Sequence, residues 1–100
     1  MKTIFIDTSN NKEITVALTS DGKEYVLKQK TDHRKAQAVL PLIEKILQEH
    51  NLKLQDLTEI RVNPGPGSFT GLRVGISIAN TLGFLLDIPI NGKKMVEPVY

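Results

Sequence analysis

The stretch Asn63-Pro-Gly-Pro-Gly-Ser-Phe-Thr-Gly-Leu-Arg73 constrains this chain more than any other, because it joins a short strand-like run to a long apolar run of helical character. Pro64 and Pro66 fix φ and donate no N–H, while Gly65 and Gly67 admit backbone geometries closed to other residues, so the segment reads as a stiff, tightly folded strand-to-helix turn. Ser68 has N-cap chemistry, which would leave the N–H groups of the next turn pointing into the loop, as in anion-binding helix N-termini. Neither nucleotide fingerprint fits. A dinucleotide loop needs glycine where Thr70 stands, and a Walker loop needs lysine followed by Ser or Thr after its last glycine. The plainer account is a structural elbow that seats a helix.

Around this elbow the pattern predicts an α/β domain. Thr3 to Ile6 reads as a strand leading into Asp7-Thr8-Ser9, and Ile14, Val16 and Leu18 recur at period two in a second. Asp21-Gly22 signals a tight hairpin into a third strand, Tyr25 to Gln29. Thr31-Asp32 supplies N-cap chemistry for a helix carrying Ala36, Val39, Leu40, Ile43 and Leu47 up to Glu49, with Asn51 as a stop. Pro41 lies inside it and predicts a kink or a helix beginning nearer Pro41. Glu59 to Val62 is a fourth strand, the second helix runs from about Ser68 to Leu86, and Ile88 to Asn91 makes a final strand ending at Gly92. This order predicts a mixed five-stranded sheet with two main helices packed on it, the fourth strand parallel to the first through a right-handed crossover. Residues 1–92 form the single expected domain, and 93–100 read as a tail or the start of a second lobe.

One hundred residues, 40% of them hydrophobic, bury one modest core. With no cysteine there are no disulfides or thiolate metal sites. No basic start with an apolar stretch behind it opens the chain, so a cytoplasmic location is expected. The richest apolar run, Leu82 to Ile90, is broken by Asp87 and Pro89, and no membrane span is expected. Net charge is +2. The densest basic cluster, His33-Arg34-Lys35 with Lys28 and Lys30 nearby, holds no aromatic residue for base stacking and reads as a solvated edge.

Catalytic constellations are weak. His33 and His50 stand at opposite ends of the first helix and cannot share a metal ion. Asp7 suits the first carboxylate of a two-metal, ribonuclease H-like nuclease, but the fourth strand ends in Asn63-Pro64, and a neutral amide is a poor replacement for an acidic ligand. Ser68 has no supporting base, and Glu44 and Glu49 read as surface residues. Asp7, Thr8 and Ser9, just after a buried strand, are candidates for contacting phosphate or Mg²⁺ in an actin-like nucleotide site; the competing account is a turn satisfied by its own side chains.

The second helix carries the clearest clue. Gly71, Gly75, Ala79 and Gly83 recur every four residues along one ridge, although each interior glycine costs roughly 1 kcal/mol relative to alanine. Something must therefore approach the backbone closely. Apolar residues flank the ridge on both sides over an arc of roughly 200°, wider than the stripe of about 100° that seats a helix on one sheet. The first helix is likewise broad, with Ala38, Leu42 and Ile46 forming a second apolar line. A sheet on one side and the neighbouring helix on the other account for part of this surface; the surplus predicts a helix-on-helix protein interface.

From Ile4-Phe-Ile-Asp-Thr-Ser9 through Leu40-Pro-Leu-Ile43 and the signature loop Gly65, Pro66, Gly67, Ser68, Phe69, Thr70 and Arg73 to Ile88-Pro-Ile-Asn-Gly92, the chain resembles the first lobe of the TsaB (YeaZ) family. The resemblance implies an actin-like (ASKHA, ribonuclease H-like) lobe and a part in making tRNA N6-threonylcarbamoyladenosine. Family members act as non-catalytic scaffolds without a cofactor, pairing with TsaD or with themselves through the two helices. TsaD carries metal and catalysis, TsaC supplies the threonylcarbamoyl-adenylate from ATP, TsaE is an ATPase, and tRNA is met indirectly. Carried over by position, the resemblance implies Gly71, Leu72, Gly75, Ile76, Ala79 and Gly83 as partner-facing residues, with Leu42, Ile43 and Ile46 from the first helix. Two departures stand out. Lys35-Ala36-Gln37 replaces a His-Ser-Glu usual near the start of the first helix, and the lobe that would follow Gly92, with the nucleotide cleft between lobes, is absent from this sequence.

Overall fold

The computed structural model describes residues 1–31 and 35–99. Four strands form one sheet: β1 (Lys2–Asp7), β2 (Glu13–Ser20), β3 (Lys23–Lys30) and β4 (Glu59–Val62), in the order β3-β2-β1-β4. The first three run antiparallel, and β4 lies parallel to β1 as the crossover rule requires. The β2–β3 turn takes positive φ at both Asp21 (53°) and Gly22 (81°), the geometry that the Asp-Gly pair favours in a two-residue hairpin. Register aligns Ile4 with Leu18 and Ile60, and Ile6 with Val16 and Val62. Strand alternation then sends all six side chains to the same face, where they are buried.

Two helices cover that face, α1 (Lys35–Glu49) and α2 (Phe69–Leu86). From α1, Val39, Leu42, Ile43, Ile46 and Leu47 point into the core. The helix does not begin near Pro41; it starts at Lys35 and runs through the proline. Pro41 and Gln37 are both exposed, so water can satisfy the carbonyl that the proline leaves without a partner. Of the expected N-cap pair Thr31-Asp32, Asp32 lies outside the described residues, as do the basic residues His33 and Arg34. At the other end of α1, the His50 ring packs on Tyr25 with centroids 3.9 Å apart, and its Nδ1 lies 2.8 Å from the Ile46 carbonyl oxygen.

Among the described residues the sheet has four strands and not the expected five. Ile90 makes a single parallel bridge to Ile60, through Ile60 N–H to Pro89 O (3.0 Å) and Asn91 N–H to Ile60 O (2.9 Å). Asn91 (φ 51°) and Gly92 (φ 75°) then turn the chain away. A side chain replaces the missing backbone. The Asn91 carboxamide accepts from Val62 N–H and donates to Val62 O, both at 2.9 Å, so it serves the end of β4 as another strand residue would.

At 18 residues, apolar for most of its length, α2 reaches the lower limit for crossing a bilayer, which corrects the expectation that no segment does. Seven of those residues are buried against the rest of the chain, while Phe69, Phe84 and Leu85 stay exposed.

Candidate functional site: the signature loop and the second helix

The elbow between β4 and α2 is held from both sides. Asn63 N–H donates to Ile6 O at 3.0 Å, extending the β1–β4 ladder by one residue. Its side-chain oxygen accepts from Gly65 N–H (3.0 Å), and its amide nitrogen donates to Asp7 Oδ1 (3.3 Å) and Ser9 Oγ (3.2 Å). Asp7 Oδ1 also receives the Ser9 N–H at 2.9 Å and the Ser9 hydroxyl at 2.7 Å. The Gly65–Pro66 peptide is cis. Gly67 lies so close to the first loop that a Cβ there would stand 2.7 Å from Ser9 Cβ, and Ser68 N–H donates to Ser9 O at 3.2 Å.

Ser68 is the N-cap of α2, its hydroxyl accepting from Gly71 N–H at 3.3 Å. The elbow therefore seats the helix as its sequence implied. Phe69, Thr70 and Arg73 face outward, with the Arg73 guanidinium carbon 4.7 Å from the Phe69 ring centroid.

Thr8 is the most buried polar residue of this region, 1% exposed. Its hydroxyl donates to Gly71 O at 2.5 Å and accepts from Gly75 N–H at 3.1 Å. Asp7, Thr8 and Ser9 are thus brought together, but their polar groups tie β1 to the loop and to α2. Asp7 and Ser9 match the self-satisfied turn, with Asn63 as a third member. Among the described residues there is no group of three or more His, Cys, Asp or Glu side chains able to hold a metal ion.

The residues expected to face a partner sit elsewhere. Gly71, Leu72, Gly75, Ile76, Ala79 and Gly83 are all buried inside the chain, as are Leu42, Ile43 and Ile46 of α1. The glycine ridge does meet a close neighbour, and that neighbour is the chain's own sheet. A Cβ on Gly75 would fall 2.5 Å from Thr8 Oγ1 and 3.4 Å from Ile6 Cγ2, and one on Gly83 would overlap the Ile90 side chain. Small residues let α2 sit low on β1 and on the Ile90 bridge.

The apolar surface left outside belongs to other residues. On α2, Phe69 is 54%, Phe84 83% and Leu85 70% exposed; on α1, Leu40 is 42% exposed. Val74 and Ile78 are half-buried and Thr81 is exposed, and with Leu85 they run along α2 at alternating steps of four and three residues. That spacing keeps them on one stripe of a helix. The sequence signal for this surface is Leu85, in line with Val74 and Ile78 among the apolar residues that flank the ridge, with Phe84 next to it.

Comparison with known proteins agrees with this architecture. A family model described as "TsaD: tRNA N6-adenosine threonylcarbamoyltransferase" matches residues 23–94. The tRNA threonylcarbamoyladenosine biosynthesis protein TsaB of Bacillus subtilis is 36% identical over 99 residues, covering 97% of this chain and 42% of that protein. TsaB of Escherichia coli is 34% identical over 92 residues, covering 92% of this chain and 39% of its own length. The solved structure of YeaZ from Pseudomonas aeruginosa superimposes with a TM-score of 0.84 at 30% identity, over 89% of this chain and 41% of that one. The chain spans about two fifths of the length of these relatives. With the family model covering most of the sequence and the fold shared with YeaZ, this chain belongs to the TsaD family and, within it, to the TsaB (YeaZ) group.

Proposed function

We propose that this chain is a non-catalytic interaction subunit of the machinery that makes tRNA N6-threonylcarbamoyladenosine. It forms a homodimer when alone and exchanges that pairing for a heterodimer with a TsaD-like catalytic protein. A TsaE-like ATPase joins the assembly, and tRNA is met through the partner. The observation that carries this reading is the apolar stripe of α2 that runs from half-buried Val74 and Ile78 to exposed Leu85, with exposed Phe84 beside it. Two apolar side chains 70% and 83% exposed, at neighbouring positions of one helix, are costly in water and fit the face of a second helix. The family of the chain supports the same pathway. The interface therefore moves from the buried glycine ridge to the outer side of the same helix.

Light scattering of the purified chain, alone and mixed with a TsaD-like protein from the same source, tests the reading. A homodimer that converts to a heterodimer, with both lost in Leu85→Glu, is the expected outcome. A monomer indifferent to that partner overturns it.

A further inference from the structure

Residues 93–99 do not trail away from the domain. Ile90 and Lys93 exchange backbone hydrogen bonds, Ile90 N–H to Lys93 O at 2.7 Å and Lys93 N–H to Ile90 O at 2.8 Å, which redirects the chain along α2. Asn80, on the flank of α2, then grips Val96 at both backbone atoms: its amide nitrogen donates to Val96 O and its oxygen accepts from Val96 N–H, each at 2.9 Å. The Val96 side chain is buried in the core. Three residues on, Val99 N–H donates to Pro64 O at 2.6 Å. The Val99 carbonyl lies where a side chain on Gly65 would stand, so glycine at that position is what lets the two backbones meet.

We propose that residues 95–99 are a strap that sets the conformation of the signature loop, with Asn80 as its catch. Each end of the strap holds a different part of the site. Asn80 fixes Val96 against the middle of α2, and Val99 closes on Pro64 and Gly65, four and three residues before the N-cap of the same helix. With the strap docked, the loop is pinned between Val99 on one side and Asp7, Ser9 and Asn63 on the other. With the strap released, Pro64 and Gly65 lose that outer support. The catch suits release. It is made by one side chain, and Val99 is itself 62% exposed. The strap works within one chain and does not depend on the partner proposed above.

Amide hydrogen exchange on the intact chain tests this, because the reporter amides are bonded in the docked state: Val96 to Asn80, Gly65 to Asn63 and Ser68 to Ser9. In Asn80→Ala, exchange at Val96 and Val99 is expected to rise roughly tenfold or more, with Gly65 and Ser68 rising alongside while Ile4 and Ile6 stay at wild-type protection. Val99→Pro, which replaces the N–H donated to Pro64 by a ring carbon that cannot approach that carbonyl, is expected to raise exchange at Gly65 and Ser68 and covers the case in which Asn80→Ala does not fold. Strap amides that loosen while Gly65 and Ser68 keep wild-type protection overturn the proposal. So does unchanged exchange at Gly65 and Ser68 in Val99→Pro.

Discussion

The Thr8 hydroxyl sits between the carbonyl of Gly71 and the N–H of Gly75, two groups four residues apart that an α-helix ordinarily bonds to each other. A side chain from the end of β1 is thereby built into the hydrogen-bonding of α2, and the missing side chain at Gly75 makes room for it. Strand, loop and helix are locked at one point. The close approach that calls for glycine at position 75 is that of Thr8.

Gly75→Ala should therefore destabilise the chain by about 1–3 kcal/mol despite the better helix propensity of alanine, because the new Cβ displaces a buried, doubly bonded hydroxyl. In a Thr8→Ala background the same change should cost much less, with a coupling energy on the order of 1 kcal/mol or more. Urea unfolding of the four proteins of the cycle measures this. Additive effects would show that the two residues are independent.

Asn91→Ala removes both hydrogen bonds to Val62 and places alanine at φ 51°. A loss of about 2–4 kcal/mol is expected, combining unpaired backbone groups with left-handed strain. Asn91→Asp keeps an acceptor for Val62 N–H but sets a carboxylate against Val62 O, and should be destabilising as well. Thermal unfolding of both variants gives the comparison, and a wild-type melting temperature in Asn91→Ala would remove the side chain from the sheet's hydrogen-bonding.

Asp7→Asn tests the loop against the phosphate-handling account of the same residues. The charged acceptor for the Ser9 and Asn63 donors is lost, which should lower stability by about 1 kcal/mol. Millimolar Mg²⁺ should leave the melting temperature of the wild type unchanged. A rise in the wild type that is absent in Asp7→Asn would restore Asp7 as a ligand.

Replacing Phe84 and Leu85 together by serine should leave stability within about 0.5–1 kcal/mol of the wild type, since neither residue is in the core, while weakening self-association and capture of a TsaD-like protein. Sedimentation at several concentrations reads the first effect and co-elution the second. Equal association of variant and wild type would take these residues out of the interface.

Most elements were legible because their signals are local. The Asp21-Gly22 pair specifies a hairpin turn by φ alone, Ser68 caps the helix it precedes, and alternation in β1 and β2 marks one face for burial. The β4–β1 pairing followed from the handedness of crossovers, a rule of the polypeptide and not of this sequence. The expected fifth strand fails to form for a reason equally physical. Ile88 to Asn91 has strand composition, but the Asn91 side chain meets Val62 across 29 positions of sequence, and no local pattern announces that an amide will replace a backbone.

Local pattern is enough to place a ridge of small residues along α2, to require a close neighbour there, and to seat the helix on an elbow of prolines and glycines. What does the approaching depends on contacts between distant parts of the chain. Helical periodicity fixes which residues share a face; it does not say whether the sheet, the strap or another protein covers that face. Thr8, Ile6 and Ile90 cover the ridge, Val96 and Asn80 close one flank, and the stripe ending at Leu85 remains outside, because the strand register and the path of the chain after Gly92 set the depth at which α2 rests on the sheet.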